Sequence, residues 1–224
     1  MAESARRQVD LSGARRLGVY GGSFDPVHAG HVHVAREAQR AFKLDAVLFV
    51  PAAQPPHKPE RALALPNDRV AMLEIALRAE PTWCVSQLEF ERSGPSYTID
   101  TLRELPRRLA LAPQCELFFL LGWDNLRGLE RWREVRALLA LVQPVVVWRG
   151  DEDARVLEHL RREFGEVLYM RLERGLVRAP PAPESSTEVR ELLARGQDPG
   201  AALPDGVLEY IRARGIYAPR ADPS

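Results

Sequence analysis

The chain predicts a single α/β domain: a doubly wound, mostly parallel sheet with additional helices at its C-terminal end. Three observations predict it. Short β-rich runs alternate along the chain with longer stretches whose apolar residues recur at helical spacing. The short runs are continuously apolar, as strands covered on both faces are. The length of 224 residues, with 46% apolar content, fits one large domain with a sizeable core.

The expected strands, in order, are Leu17–Tyr20, Ala46–Val50, Trp83–Ser86, Leu117–Leu121 and Val142–Trp148, with Val167–Met170 as a further one. The expected helices between them are Ala29–Phe42, Asn67–Arg78, Ile99–Leu109, Asn125–Leu139 and Ala154–Phe164. Each carries apolar residues at helical spacing with charged residues between. Strand–helix alternation of this length implies right-handed crossovers. Two last helices, Ser186–Arg195 and Pro204–Arg214, open on cap residues and proline, as helix starts do. Two proline-dense loops, Pro51–Pro59 and Ala179–Pro183, prevent helix and central strand; the first has the chemistry of a lid over a site. Residues 1–16 are polar and lack the apolar core of a signal peptide. They read as a flexible tail, 17–218 as the domain and 219–224 as a second tail.

Composition limits the partners. Lys and Arg total 31, and so do Asp and Glu. The chain therefore has no overall pull toward nucleic acid or an anionic membrane, and any phosphate site must be local. No apolar run reaches the ~18 residues a membrane span needs. Cys84 and Cys115 are far apart, and each lies close to apolar residues, Trp83 and Val85 in one case and the run from Leu117 in the other. They read as buried core thiols in a reducing cytoplasm, not as a disulfide or a zinc site.

The most informative stretch runs from Gly21 to His31: Gly-Gly-Ser-Phe-Asp-Pro-Val-His-Ala-Gly-His, between the first strand and the first helix. Gly21 and Gly22 let the backbone approach an anion. The helix N-terminus supplies N–H groups and partial positive charge. His28 and His31, three residues apart, share one side of the first turn and can reach the same phosphate. A Gly-Gly before a helix is often only a tight turn; the two histidines shift the reading to nucleotidyl transfer.

Ligands in open parallel sheets sit beyond the carboxyl ends of the strands. Three further segments fall at such ends: His57-Lys58 after the second strand, Gly122-Trp123-Asp124-Asn125 after the fourth, and Glu184 to Arg190 at the start of a late helix. His57-Lys58 can be an ordinary solvated loop or a positioned cation. Asp124 suits a ribose hydroxyl pair and also an N-cap. Ser185-Ser186-Thr187 is a good N-cap sequence in itself, yet Arg190 lies one turn inside and can face the same anion. Trp132 can be core, and Thr98 a helix cap. His33 reads as structural and His159 as solvent-exposed.

With these residues in view, the chain resembles the bacterial nicotinate-nucleotide adenylyltransferases, within the larger His-x-Gly-His nucleotidyltransferase superfamily. The matching pieces are GGSFDPVHAGH, VPAAQPPHKP, GPSYTIDTL, LLGWDNL and SSTEVR, in that order. The resemblance covers about residues 17 to 218, ending in Pro204-Asp205-Gly206-Val207 and Gly215-Ile216-Tyr217. It implies a Rossmann-like nucleotidyltransferase fold and transfer of AMP from ATP to nicotinate mononucleotide. It implies ATP contacts from Gly21, Gly22, Ser23, Phe24, His28, Gly30, His31, Gly122, Asp124, Ser186, Thr187 and Arg190. It places the mononucleotide against Lys58, His57, Tyr97, Thr98 and Trp132, with Trp132 stacking on the pyridine ring and Thr98 near its carboxylate. It implies that His28, His31, Arg190 and Lys58 carry the catalysis and that Mg²⁺ travels with ATP. No arginine is invoked at the pyridine carboxylate.

The chain departs from the family pattern at Trp123, where a small residue is usual, at Glu184, and at Trp148-Arg149-Gly150, where Arg-Pro-Gly is common. The rival readings are the same fold acting on the amidated mononucleotide or another phosphate acceptor, and a non-enzymatic nucleotide sensor. A tRNA synthetase fragment lacks support: there is no basic face and no Lys-Met-Ser-Lys-Ser loop. A conventional dehydrogenase would need Gly-x-Gly-x-x-Gly after the first strand.

Overall fold

The computed structural model describes residues 9–55, 63–148, 154–180 and 185–218. Six strands form one sheet: β1 (Arg16–Gly22), β2 (Ala46–Pro51), β3 (Trp83–Val85), β4 (Glu116–Gly122), β5 (Gln143–Trp148) and β6 (Leu176–Arg178). Their order is β3-β2-β1-β4-β5-β6, and every neighbouring pair is parallel. The chain starts in the middle, winds outward to β3, then returns to β4 on the other side of β1. The winding direction reverses between β1 and β4, which opens a crevice beyond the carboxyl ends of these two strands.

Eight helices cover the sheet: α1 (Ala29–Phe42), α2 (Pro66–Ala76), α3 (Thr98–Arg108), α4 (Val135–Leu141), α5 (Ala154–Phe164), α6 (Glu166–Arg174), α7 (Ser186–Ala194) and α8 (Val207–Arg214). Each strand feeds both faces, since successive side chains point opposite ways. Leu17 and Val19 of β1 with Leu117, Phe119 and Leu121 of β4 pack toward α3, α4, α5 and α6. Tyr20 with Phe118 and Leu120 packs toward α1, α2, α7 and α8.

Four details differ from the sequence reading. Val167–Met170 is not a strand but the first part of α6; Val167 is 83% exposed there. The sixth strand is the shorter Leu176–Arg178. Gly175 leads into it, and a Cβ at that position would lie 1.9 Å from the carbonyl oxygen of Pro144. The expected helix Asn125–Leu139 is broken into short 3-10 turns at Trp123–Leu126 and Leu129–Arg131 before α4 begins. Gly128 and Glu134 there take left-handed backbone conformations, φ 88° and 49°, which a continuous α-helix excludes. Residues 9–16 are not a free tail: Leu11 and Ala14 are buried, and the N–H groups of Arg15 and Arg16 donate to Asp45 Oδ2 at 2.8 and 2.9 Å. Finally, neither thiol is fully buried. Burial still pushes the Cys84 thiol up to about 11, which leaves it protonated and unreactive at neutral pH. The segments 1–8 and 219–224 lie outside the described residues.

Candidate active site

The crevice at the switch point holds a cavity walled by the segments that the sequence singled out. Gly21, Gly22, Ser23, Phe24 and His31 line it from the end of β1 and the start of α1. Tyr97, Thr98 and Trp132 line the opposite part, and Ser186 reaches it from the start of α7. Asn125, Ser96, Glu89 and Arg133 complete its polar surface. Groups suited to a triphosphate and groups suited to a flat aromatic ring thus share one space.

The glycine-loop side is built by the backbone. A Cβ at Gly22 would press on the Phe24 ring at 3.0–3.2 Å, so any side chain there needs that ring to give way by a few tenths of an ångström. Phe24 itself is in the left-handed region at φ 47°, although it is bulky. Such a residue costs about 1–3 kcal/mol and persists only when its surroundings hold it. Here the ring is buried among Tyr20, His31 and Phe49, at centroid distances of 5.5, 5.0 and 5.6 Å.

His28 is the N-cap of α1, with extended backbone, and is buried. The His28 and His31 rings lie 3.8 Å apart by centroid. His31 Nδ1 accepts the backbone N–H of His28 at 3.2 Å. An accepting Nδ1 places the ring proton of a neutral His31 on Nε2, where it can be donated away from the backbone. Gly30 is buried in the first turn between them.

The start of α7 is tied to the same loop. Ser186 Oγ donates to the carbonyl of Pro26 at 3.0 Å, and Arg190 Nη1 donates to the carbonyl of Asp25 at 2.8 Å. Arg190 Nη2 reaches Thr187 Oγ1 at 3.0 Å. Ser185 is the cap: its Oγ accepts the N–H of Glu188 at 3.2 Å. Thr187 and Arg190 therefore stand beside the glycine loop but outside the cavity's lining. Gly122 and Asp124 sit at the end of β4, also outside that lining, while Asn125 is within it. Trp123 turns into the core, 9% exposed, with its ring stacked on Trp148 at 5.7 Å. Its indole N–H has no partner among the described residues.

Elsewhere on the cavity lining, Tyr97 is the N-cap of α3 and Thr98 its first residue. Ser96 fixes this segment to the start of the proline-rich loop. Its Oγ accepts the N–H groups of Ala53 and Gln54 at 3.0 and 3.1 Å, and its own N–H donates to the Gln54 carbonyl at 2.9 Å. Trp132 stands edge-on to Phe119 at 6.1 Å. His57 and Lys58 lie outside the described residues. His33 bonds the Pro180 carbonyl at 3.1 Å, and His159 is half exposed beside Glu130 at 3.9 Å; neither lines the cavity.

Sequence reasoning missed the support behind the glycine loop. Arg69, in α2, is 1% exposed. Its Nη1 donates to the carbonyls of Ser23 (2.8 Å) and Ala52 (2.7 Å), and its Nε donates to that of Ala64 (3.1 Å). Burial pushes its pKa down, while Asp25, Tyr217 and Glu89 push it back up. Asp25 is equally buried; its Oδ1 accepts the Ala64 N–H at 3.0 Å and the Tyr217 hydroxyl. A single arginine among the apolar residues of a helix was the available sign, since a buried charge must be paired.

Residues 19–192 match the family model described as cytidylyltransferase-like. A "probable nicotinate-nucleotide adenylyltransferase" of Dehalococcoides mccartyi is 35% identical over 202 residues, covering 90% of this chain and 97% of that protein. One from Desulfitobacterium hafniense is 38% identical over 204 residues, covering 91% and 96%. The nicotinic acid mononucleotide adenylyltransferase of Plasmodium falciparum, solved with NaAD, superposes with a TM-score of 0.72 at 20% identity, over 90% of this chain and 97% of that one. That likeness concerns the fold. Fold and cavity define a nucleotidyltransferase. Within that class, the chain belongs to the nicotinate-nucleotide adenylyltransferase family.

Proposed function

We propose that this chain transfers the adenylyl group of ATP to nicotinate mononucleotide, giving nicotinate adenine dinucleotide and pyrophosphate. One observation carries the reading beyond the family: a single cavity is lined both by the glycine loop with His31 and by Tyr97, Thr98 and Trp132. The first group suits a triphosphate, the second a pyridine ring.

The acceptor's phosphate oxygen attacks the α-phosphorus of ATP in line. The bond from that phosphorus to the bridging oxygen breaks, and pyrophosphate leaves. Phosphate is itself a competent nucleophile, so no protein nucleophile is required. The protein's task is alignment of two polyanions and stabilisation of charge where it develops. In this reading His28 and His31 hold α- and β-phosphate oxygens, His31 through the Nε2 proton that its cap bond selects. The backbone N–H groups of Gly22, Ser23 and Phe24 add donors, with Gly21 and Gly30 allowing the close approach. Ser186, Thr187 and Arg190 take the outer phosphates, and Gly122 and Asp124 the ribose of ATP. Lys58, with His57, meets the acceptor phosphate. Mg²⁺ enters with ATP as part of the substrate, bound mainly by phosphates and water.

Trp132 stacks on the pyridine ring, and Thr98 with nearby N–H groups meets its carboxylate. An amide in that place would turn its NH₂ toward donors. Such a mismatch costs ~1–3 kcal/mol, about five- to a hundredfold. Pyrophosphate release with ATP and each of the two mononucleotides in parallel tests the reading. The acid is expected to be preferred at least tenfold in kcat/KM. Equal efficiency would make this a dual-specificity enzyme and remove Thr98 from the argument.

A further inference from the structure

We propose that Arg133 sets the choice of an acid over an amide on the acceptor's pyridine ring, by pairing its guanidinium with the ring carboxylate. The proposal rests on the acceptor named above and assigns one residue to its recognition.

The observations concern one wall of the cavity. Arg133 follows Trp132 and lines the cavity with Tyr97 and Thr98. Its guanidinium lies over the Tyr97 ring, 4.6 Å from the centroid. Stacking of this kind fixes the plane of the charge and leaves the N–H edge available for a planar anion. The ionic contacts of Arg133 are loose: Asp100 Oδ2 at 3.7 Å and Glu134 Oε1 at 4.0 Å. Both exceed hydrogen-bond length. Glu134 is moreover already bound by Arg103 at 2.7 Å. The side chain of Arg133 is 52% exposed, so a ligand in the cavity can reach it without opening the core.

The signs of the charges favour this assignment. Apart from His31, the charged side chains lining the cavity among the described residues are Glu89 and Arg133. Glu89 is buried and accepts the Thr101 hydroxyl at 2.6 Å. Its charge is partly offset by Arg92, whose Nη2 lies 3.7 Å from Glu89 Oε1. Arg133 tips the lining toward a substrate carboxylate over a neutral carboxamide. A hydroxyl and backbone N–H groups discriminate through unpaired donors, whereas a full cation discriminates through charge, and only the second is screened by salt.

The test compares wild type, Arg133→Gln and Arg133→Lys at saturating ATP, with acid and amide mononucleotides, at low salt and at about 0.5 M salt. With the pyridine ring on Trp132, Arg133 meets the ring carboxylate and not the reacting phosphorus, so its contact is expected to be the same in ground and transition states. For Arg133→Gln the acid-to-amide ratio of kcat/KM is expected to fall about five- to tenfold, the scale of a charge-assisted pair at a half-exposed site. The loss should appear in KM for the acid. Arg133→Lys should recover most of the preference, and salt should narrow the preference of wild type but not that of Arg133→Gln. An unchanged ratio in Arg133→Gln overturns the proposal and leaves selection to Thr98 and the backbone. An equal loss on both mononucleotides also overturns it, because it would mean that Arg133 only holds Tyr97 in place. A wild-type enzyme that releases pyrophosphate with neither mononucleotide refutes the assigned function itself, before any variant is compared.

Discussion

His31→Ala is expected to lower turnover a hundredfold or more while leaving the protein folded. The imidazole sits in the first turn of α1 and lines the cavity beside the glycine loop. Its Nδ1 is occupied by the His28 N–H, so its remaining proton is directed away from its own backbone. A donor aimed at a phosphate oxygen gains most when charge shifts toward the leaving pyrophosphate. Removing one such contact costs ~3 kcal/mol or more in the transition state. Circular dichroism should match wild type, and the melting temperature should fall only modestly, through loss of the His28 cap bond and of the ring's packing on Phe24. A folded variant with near-normal turnover would falsify this role.

Arg69→Met carries the second large effect, and here the loss is in stability. The methionine fills similar space but leaves the carbonyls of Ser23, Ala52 and Ala64 without their donor. It also strips the cation from the neighbourhood of buried Asp25. Breaking a buried, hydrogen-bonded charge site of this kind costs roughly 3–5 kcal/mol. Arg40→Met is the control: the Arg40 side chain is 71% exposed and pairs with Glu37 on the same helix. It should change stability by no more than about 0.5 kcal/mol. Urea unfolding of the two variants distinguishes them. A cost below about 1 kcal/mol at Arg69 would mean that the loop does not depend on its buried cation.

The two results address two layers of one device. Residues 23–26 have little stability of their own, since they contain a left-handed phenylalanine and lie beyond the last ladder pair of β1. They are over-determined from outside: Arg69 from α2, Arg190 and Ser186 from α7, and Tyr217 beyond α8 all reach them. Segments far apart in sequence thus hold the place where the phosphates are expected.

The residues whose chemistry is local were legible in the chain. Gly21 to His31 names a strand end, a turn and a helix start within eleven residues, and the structure has that order. Long periodic segments such as α1 were also legible. Val167–Met170 misled because four apolar residues in a row fit a strand as well as a helix. The true β6 has three residues, too few for any period to show. Gly128, inside the expected helix Asn125–Leu139, was the visible warning of a break. That break matters for the site, because it sets Trp132 and Arg133 on the cavity wall. Arg69, Asp25 and Tyr217 could not be connected by inspection: 44 residues separate the first pair and 192 the second, and only the folded sheet brings them together.

The most direct test of the account is the stereochemical outcome at the transferred phosphorus. ATP made chiral at the α-phosphorus by sulfur substitution is incubated with nicotinate mononucleotide, and the dinucleotide product is analysed for configuration. A single in-line attack by the acceptor's phosphate, with no protein nucleophile between, predicts nicotinate adenine dinucleotide with the configuration inverted. Retention, which needs two displacements and a covalent adenylyl-enzyme, or the absence of dinucleotide altogether, would contradict it.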